Sequence, residues 1–334
     1  MSDRRRIVIT GAGWVTPMGH DLESVWQRLL AGETDVAAID RFDASTFPTT
    51  FASQVRGYDW TGFVEHASTH GRPGMHTQFA LGAARQAWDA SGLGDANLDR
   101  HRVGIYLGAG EGVLDFTSYQ RTSLKAWNAD AGRVDTVQWG DAASRHLDGI
   151  AEIEQEPNMP ASHISREFGI RGPVYNCLTA CAASTQAIGE AASILHRGDA
   201  DVMVSGGTHT MLHVLGITGF NRLTAMSTRN DSPQTASRPF SRSRDGFVMG
   251  EGSGIIVMET LEHAEARGAN ILAELRGFGS TADAYRITDM HPEGRGPGDA
   301  ILQALANAGI DPSQRLDDGR PPVHYISAHG TSTS

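Results

Sequence analysis

Three short apolar runs, each leading into glycine, constrain the fold more than anything else in this sequence: IVITGAG at 7–13, VGIYLGAG at 103–110 and DVMVSGG at 201–207. Runs this short, rich in β-branched residues and lacking polar alternation, suit strands buried on both faces. Between them Leu22, Val25, Trp26 and Leu29 fall at helical spacing, and a small-residue helix is expected from about Thr77 to Ser91. Strands alternating with helices, with glycine turns at the strand ends, predict an α/β fold whose sheet is covered.

The first third of the chain is echoed near the C-terminus. The order RRIVITGAG, ARQAWDASGL, RVGIYLGAG returns as ILAELRGFG, ILQALANAGI, PVHYISAHG, so that Val103 aligns with Val323 and Gly110 with Gly330. A duplicated βα unit is the reading that follows. It sets a soft boundary near Arg267 and Gly268, dividing the chain into 1–267 and 268–334. The stretch 113–157 reads as an irregular polar insertion, with acidic residues collected in IAEIEQEP.

At 334 residues the chain is long enough for two such units. The formal net charge of −11 excludes nucleic acid and anionic membrane as natural partners, since both demand a basic footprint. No apolar run reaches the ~20 residues of a membrane span, and the start carries no signal-peptide pattern, so the expected location is cytoplasmic. The two cysteines, Cys177 and Cys181, lie four apart. A disulfide between such neighbours would be strained at a helix start, and free thiols in a reducing compartment are expected.

Cys181 lies in TACAAS, between the extended segment PVYNCLT and a helical pattern, STQAIGEAASILHR, that stops at Gly198. A cysteine at a helix N-terminus meets unpaired N–H groups that favour its thiolate, and its small neighbours leave room for an acyl chain. Position alone leaves two readings open, a nucleophile or a small buried hydrophobe. His329, in AHGTST, stands at a predicted strand end, where α/β enzymes place their chemistry. Thr331 and Thr333 share its loop, either as ligand contacts or as solvated side chains. GAGWVT lacks the third glycine of a dinucleotide fingerprint and reads as a tight turn against a helix. His209 and His213 have the spacing of a zinc pair but lack the glutamate of the hydrolase motif, so no metal site is expected. The glycines of RDGFVMGEGSG are not followed by GK[ST] and are read as close backbone packing.

Taken together, RRIVITGAGWVTPMG, TACAAS, GDADVMVSGG, AMSTRND, SRPF, RDGFVMGEG, EHAEARGA, ELRGFGSTADAY and AHGTST resemble, in order and almost end to end, the β-ketoacyl-acyl carrier protein synthases, particularly the elongating type II enzymes and their polyketide relatives. The resemblance implies a thiolase-like fold, a layered α-β-α-β-α core of two pseudo-repeated halves, working as a homodimer without a cofactor. It implies 3-oxoacyl-[acyl-carrier-protein] synthase activity: acyl transfer to Cys181, then decarboxylative condensation with a malonyl group delivered by acyl carrier protein. By the same resemblance His329 serves the malonyl thioester, Thr331, Thr333 and Thr288 hold the pantetheine arm, and Phe220 and Phe247 stand near the acyl pocket. A second histidine, a lysine and a glycine-rich loop with a gating phenylalanine belong beyond HGTST in the family. The sequence stops five residues past His329, so the second half is expected to be incomplete and the chain to be a fragment. Arg72, with His66, His70 and His76 nearby, stands where such enzymes often present lysines and arginines to the acidic carrier, so docking is expected to be weaker there or placed elsewhere. The alternatives are a non-catalytic partner subunit resembling a chain-length factor, a fragment that only acylates, and a cysteine hydrolase built on Cys181 and His329.

Overall fold

The structure, a computed structural model, describes residues 5–287 and 290–333. The chain opens with β1 (Ile7–Val15), α1 (Leu22–Leu30) and the hairpin β2 (Val36–Ala38) and β3 (Phe51–Ser53), then enters the long helix α2 (Met75–Ser91). After β4 (Val103–Ala109) come α3 (Phe116–Lys125), the ribbon β5 (Trp127–Asn128) and β6 (Arg133–Val134), α4 (Thr136–His146), α5 (Gly149–Glu154) and α6 (Met159–Phe168). There follow β7 (Val174–Cys177), α7 (Ala183–Arg197), β8 (Val202–Thr210), α8 (Val214–Arg222), β9 (Glu251–Thr260), α9 (Leu261–Ala266), β10 (Ala273–Leu275) and α10 (Arg295–Ala308).

Six strands form one mixed sheet in the order β10-β1-β9-β8-β4-β7. β7, β4 and β8 run parallel, while β9 is antiparallel to both of its neighbours. Period-two alternation divides the side chains between two cores. Val202 and Val204 of β8, Ile105 and Leu107 of β4, and Ile255 and Val257 of β9 pack against α2 and α6. Met203 and Met258 point the other way, against Ala191, Ile194 and Leu195 of α7. Covering both faces is what makes such unbroken apolar strands stable, at roughly 1.5–3 kcal/mol for each fully buried large aliphatic. A third, smaller cluster of Leu212, Ile217, Met226 and Met249, with Phe220 and Phe247 against it, fills the end of the sheet.

The glycines at the strand ends depart from the turn reading. β1 runs straight through GAG, with a register shift between Ile9 and Gly11. A Cβ on Gly11 would strike the Ala87 carbonyl, and one on Gly13 the Ala83 carbonyl. These residues are missing side chains that let α2 lie against the sheet. β8 likewise continues through Gly206 and Gly207 to Thr210. Two of the four glycines of RDGFVMGEGSG serve close packing, Gly246 against the Met226–Ser227 backbone and Gly252 against the Val15 carbonyl, whereas Gly254 has open space around the missing Cβ.

Residues 113–157 are not irregular. They fold as α3, α4, α5 and the β5–β6 ribbon, and each of the three helices is capped by an aspartate: Asp115 accepts from Ser118 N, Asp135 from Val137 and Gln138 N, Asp148 from Ile150 N. Those aspartates satisfy first-turn N–H groups and so start the helices of this polar stretch. Near the C-terminus α10 matches the predicted helix over ILQALANAGI. The strand expected at 323–329 does not form, because no described strand lies alongside to supply a ladder, and Tyr325 and Ile326 stand exposed. β10 pairs antiparallel with β1, at the edge of the first sheet.

Candidate active site

The site is built by the start of α7. After β7 the chain makes a 3-10 turn over Ala180–Ala182, in which Ala180 takes a left-handed φ of 50°, unusual for a residue with a Cβ. The turn delivers Cys181 just ahead of α7, whose N-cap, Ala182, offers no side-chain cap. The first-turn N–H groups therefore point at the site without a side chain satisfying them from the cap. Two glycines, paired across β4 and β8, form the floor: Gly108 lies opposite Gly207. A Cβ on Gly108 would enter the backbone of Ala183 and Ser184, and one on Gly207 would meet Ser184 Oγ.

Cys181 is exposed and lines a pocket of about 740 Å³. It is lined by Trp14, Ala109, Leu178, Met211 and Phe220, by Gly250, Gly252 and Gly254, and by Glu111 and His209. Cys177 has a different environment. Its Sγ donates to the Ala183 carbonyl at 3.3 Å, and burial pushes its thiol upward, with Glu190 adding to the effect. The two sulfurs four residues apart are thus a packed thiol and a pocket thiol.

Phe220 lines the pocket, and Phe247 packs edge-on against it with ring centroids 5.3 Å apart. The segment 329–333 docks on the loop 238–246. Ser332 is buried; its Oγ accepts from Arg238 N (3.1 Å), its carbonyl accepts from Gly246 N (3.0 Å), and Arg244 Nε donates to the Thr333 carbonyl (2.7 Å). Thr331 and Thr333 share a 2.8 Å hydroxyl contact. His329 is exposed, and residues 329–333 are not among those lining the pocket. The link between the two runs through Gly246, the residue before Phe247. Thr288 lies outside the described residues.

His209 is the residue sequence reasoning set aside. Along β8 it shares the α7 side of the sheet with Met203 and Gly207, while Thr208 turns to the other side and donates to the His76 carbonyl. The period-two pattern of β8, extended past its glycines, is the signal that finds it. Burial lowers the His209 pKa below the ordinary imidazole value, partly offset by the Glu111 charge and backbone, and burial lowers His213 too.

Two of the three histidines in and beside the segment THGRPGMHT, His70 and His76, turn inward, while His66 and Arg72 are exposed. His70 Nδ1 meets His163 Nδ1 at 2.9 Å, His70 Nε2 meets Glu167 at 2.9 Å, and His163 Nε2 meets Glu154 at 2.9 Å, all buried or nearly so. Glu154 also accepts from Gly74 N, so part of the acidic run IAEIEQEP points inward. His76 is fully buried on α2, and the exposed Arg72 pairs with Asp148.

An uncapped helix start that presents a pocket thiol above one face of a covered mixed sheet defines a thiolase-like fold with a cysteine-centred site. The β-ketoacyl synthase N-terminal domain family matches residues 4–264 and the C-terminal domain family residues 272–334. The 3-oxoacyl-[acyl-carrier-protein] synthase 2 of Coxiella burnetii is 39% identical over 331 residues, covering 99% of this chain and 74% of that protein. The enzyme of the same description from Staphylococcus aureus strain COL is 37% identical over 338 residues, covering 100% of this chain and 74% of its own length. Among solved structures, a β-ketoacyl synthase from Burkholderia phymatum superposes with a TM-score of 0.82 at 29% identity, over 99% of this chain and 75% of that one. A type II polyketide ketosynthase, in complex with its acyl-carrier protein and bound to the hexaketide, gives 0.80 at 30% identity over 99% and 74%. The chain belongs to the β-ketoacyl synthase family, and the family's enzymes are acyltransferases.

Proposed function

We propose that this protein is a 3-oxoacyl-[acyl-carrier-protein] synthase that extends an acyl chain through Cys181. The observation that carries the reading is the exposed thiol of Cys181 at the mouth of a largely apolar pocket, ahead of an uncapped helix. In the first half-reaction the thiolate attacks the carbonyl of an acyl thioester, the C–S bond to the carrier's pantetheine breaks, and the carrier thiol leaves with a proton. A malonyl thioester then loses carbon dioxide. The enolate carbon so formed attacks the acyl-cysteine, a C–C bond forms, and the thiolate of Cys181 is released. N–H groups at the start of α7 suit the oxyanion that develops on the acyl carbonyl.

His329, Thr331 and Thr333 are assigned by family resemblance to the malonyl thioester and the pantetheine arm, and Phe220 and Phe247 to the acyl pocket. The docking of Ser332 on Gly246, next to Phe247, supports placing that segment beside the pocket. Residues 268–334 are read as the beginning of the second half of the fold. The natural partner is acyl carrier protein and the expected location cytoplasmic. A homodimer is supported by β7, an edge strand with Val174, Tyr175 and the following Leu178 exposed, an edge that proteins normally cover.

The test is intact-mass measurement after incubation with decanoyl-carrier, followed by malonyl-carrier. One acyl mass on the wild type, none on Cys181→Ser, and a 3-oxoacyl product after malonyl addition are expected. A chain that never takes up acyl mass on Cys181 would instead be a non-catalytic partner subunit.

A further inference from the structure

The pocket beside Cys181 has four hydroxyls on its wall; that of Ser184 is packed against Gly207, and the other three are turned into the protein. Thr208 Oγ1 donates to the His76 carbonyl (2.6 Å), Ser253 Oγ to the Gly207 carbonyl (3.0 Å), and Thr16 Oγ1 to the Gly19 carbonyl (3.3 Å). The Glu251 carboxylate is held by Arg41, Thr210 Oγ1 and Val55 N. That leaves Glu111 and His209 as the ionisable side chains of the wall, apart from the thiol. Glu111 makes no side-chain hydrogen bond or salt bridge with another described residue; it is exposed and lines the pocket. His209 lies over Gly110, where a Cβ would come within 2.5 Å of its Nε2, so the glycine makes room for the ring. Its neighbour in the chain, Glu111, is close enough to act on the ring by charge and backbone.

We propose that Glu111 and His209 form a polar subsite that selects acyl chains carrying a hydroxyl group over saturated ones. This rests on the acyl-transfer reading of Cys181 and names the class of acyl group the same pocket takes. A carboxylate only accepts hydrogen bonds, and a neutral imidazole donates through one nitrogen. A hydroxyl both donates and accepts, so it can answer both groups at once. A ketone can answer only the imidazole. A methylene answers neither, and a chain that displaces water from the pair leaves two desolvated polar groups unpaired. Sites that hydrogen-bond a substrate hydroxyl reject the analogue lacking it far more strongly than an apolar pocket rejects an added hydroxyl.

The experiment compares Cys181 acylation rates, by intact mass, for N-acetylcysteamine thioesters of decanoate, 3-oxodecanoate, 3-hydroxydecanoate and 5-hydroxydecanoate. At least one hydroxyl-bearing thioester should react with a kcat/KM roughly tenfold or more above decanoate. Glu111→Leu and His209→Leu should each erase most of that preference by speeding decanoate, whereas Glu111→Gln, which keeps an acceptor and stands at an exposed position, should retain most of it. Equal rates for decanoate and both hydroxy thioesters, or a preference unchanged in both leucine variants, would overturn the subsite. Failure of every thioester to acylate Cys181 would overturn the acyl-transfer reading itself, and the subsite with it.

Discussion

His76 is buried on α2, and neither ring nitrogen has a hydrogen-bond partner of good geometry. Burial brings its pKa down to about 4, with the backbone at Glu156 the main opposing influence. An unfolded chain protonates this ring near 6.5, the folded protein only near 4, so stability is intact above pH 6.5 and about 3 kcal/mol is lost as pH falls to 4. Glu259 adds a second window. Burial alone would raise its carboxyl, but hydrogen bonds from Arg267, His263 and Thr10 outweigh it and bring it to about 2, against 4.5 in a free chain. Its contribution is present above pH 4.5 and lost toward 2. Urea midpoints taken from pH 7 to 3 should fall in both windows, and His76→Phe should flatten the upper one while leaving the lower. The buried carboxylate also makes Arg267→Met costly, by about 3–5 kcal/mol, because Glu259 would lose its charged partner in the interior. A thermal melt of the variant near pH 7 checks this.

At the scale of elements, the contact between α7 and the two strands beneath it sets the height of the thiol. Gly108→Ala and Gly207→Ala each force a Cβ into the first residues of α7, so each should cost about 1–3 kcal/mol and slow acylation of Cys181 by tenfold or more. Gly140 in α4 and Gly219 in α8 have open space around the missing Cβ. Alanine there should raise stability by about 0.5–1 kcal/mol each with acylation unchanged, since only the freedom of the unfolded chain is reduced. This contrast marks what was legible in the sequence. Apolar runs and helical spacing announced β1, β4, β8, α2 and α7, and the junction of extended and helical patterns placed Cys181 at a helix start. A glycine's purpose is written in the neighbour it admits, which no local pattern carries, so GAG read as a turn when it is a bed for α2. His209 was hidden for a related reason, because its side of the sheet follows only once β8 is known to run past Gly207. The stretch 113–157 read as irregular because a capping aspartate and a polar loop draw on the same residue types.

Over the whole molecule, covered and open regions are unevenly distributed. The sheet centre is sealed by α2, α6 and α7, whereas Tyr325 (83% exposed) and Ile326 (72%) sit on an unpaired segment that is fastened again only at Ser332. Ser332→Ala removes the acceptor for Arg238 N and should cost about 1 kcal/mol locally. Hydrogen exchange should then speed up at 238–246 with little change in β4 or β8. The glycine floor has a wider implication for anyone diversifying this enzyme. A saturation library should show positions 108 and 207 as two blank columns whatever acyl group is offered for selection, because any added carbon there moves the sulfur before it touches a ligand. Changes in appetite will have to come from wall positions that leave α7 where it is.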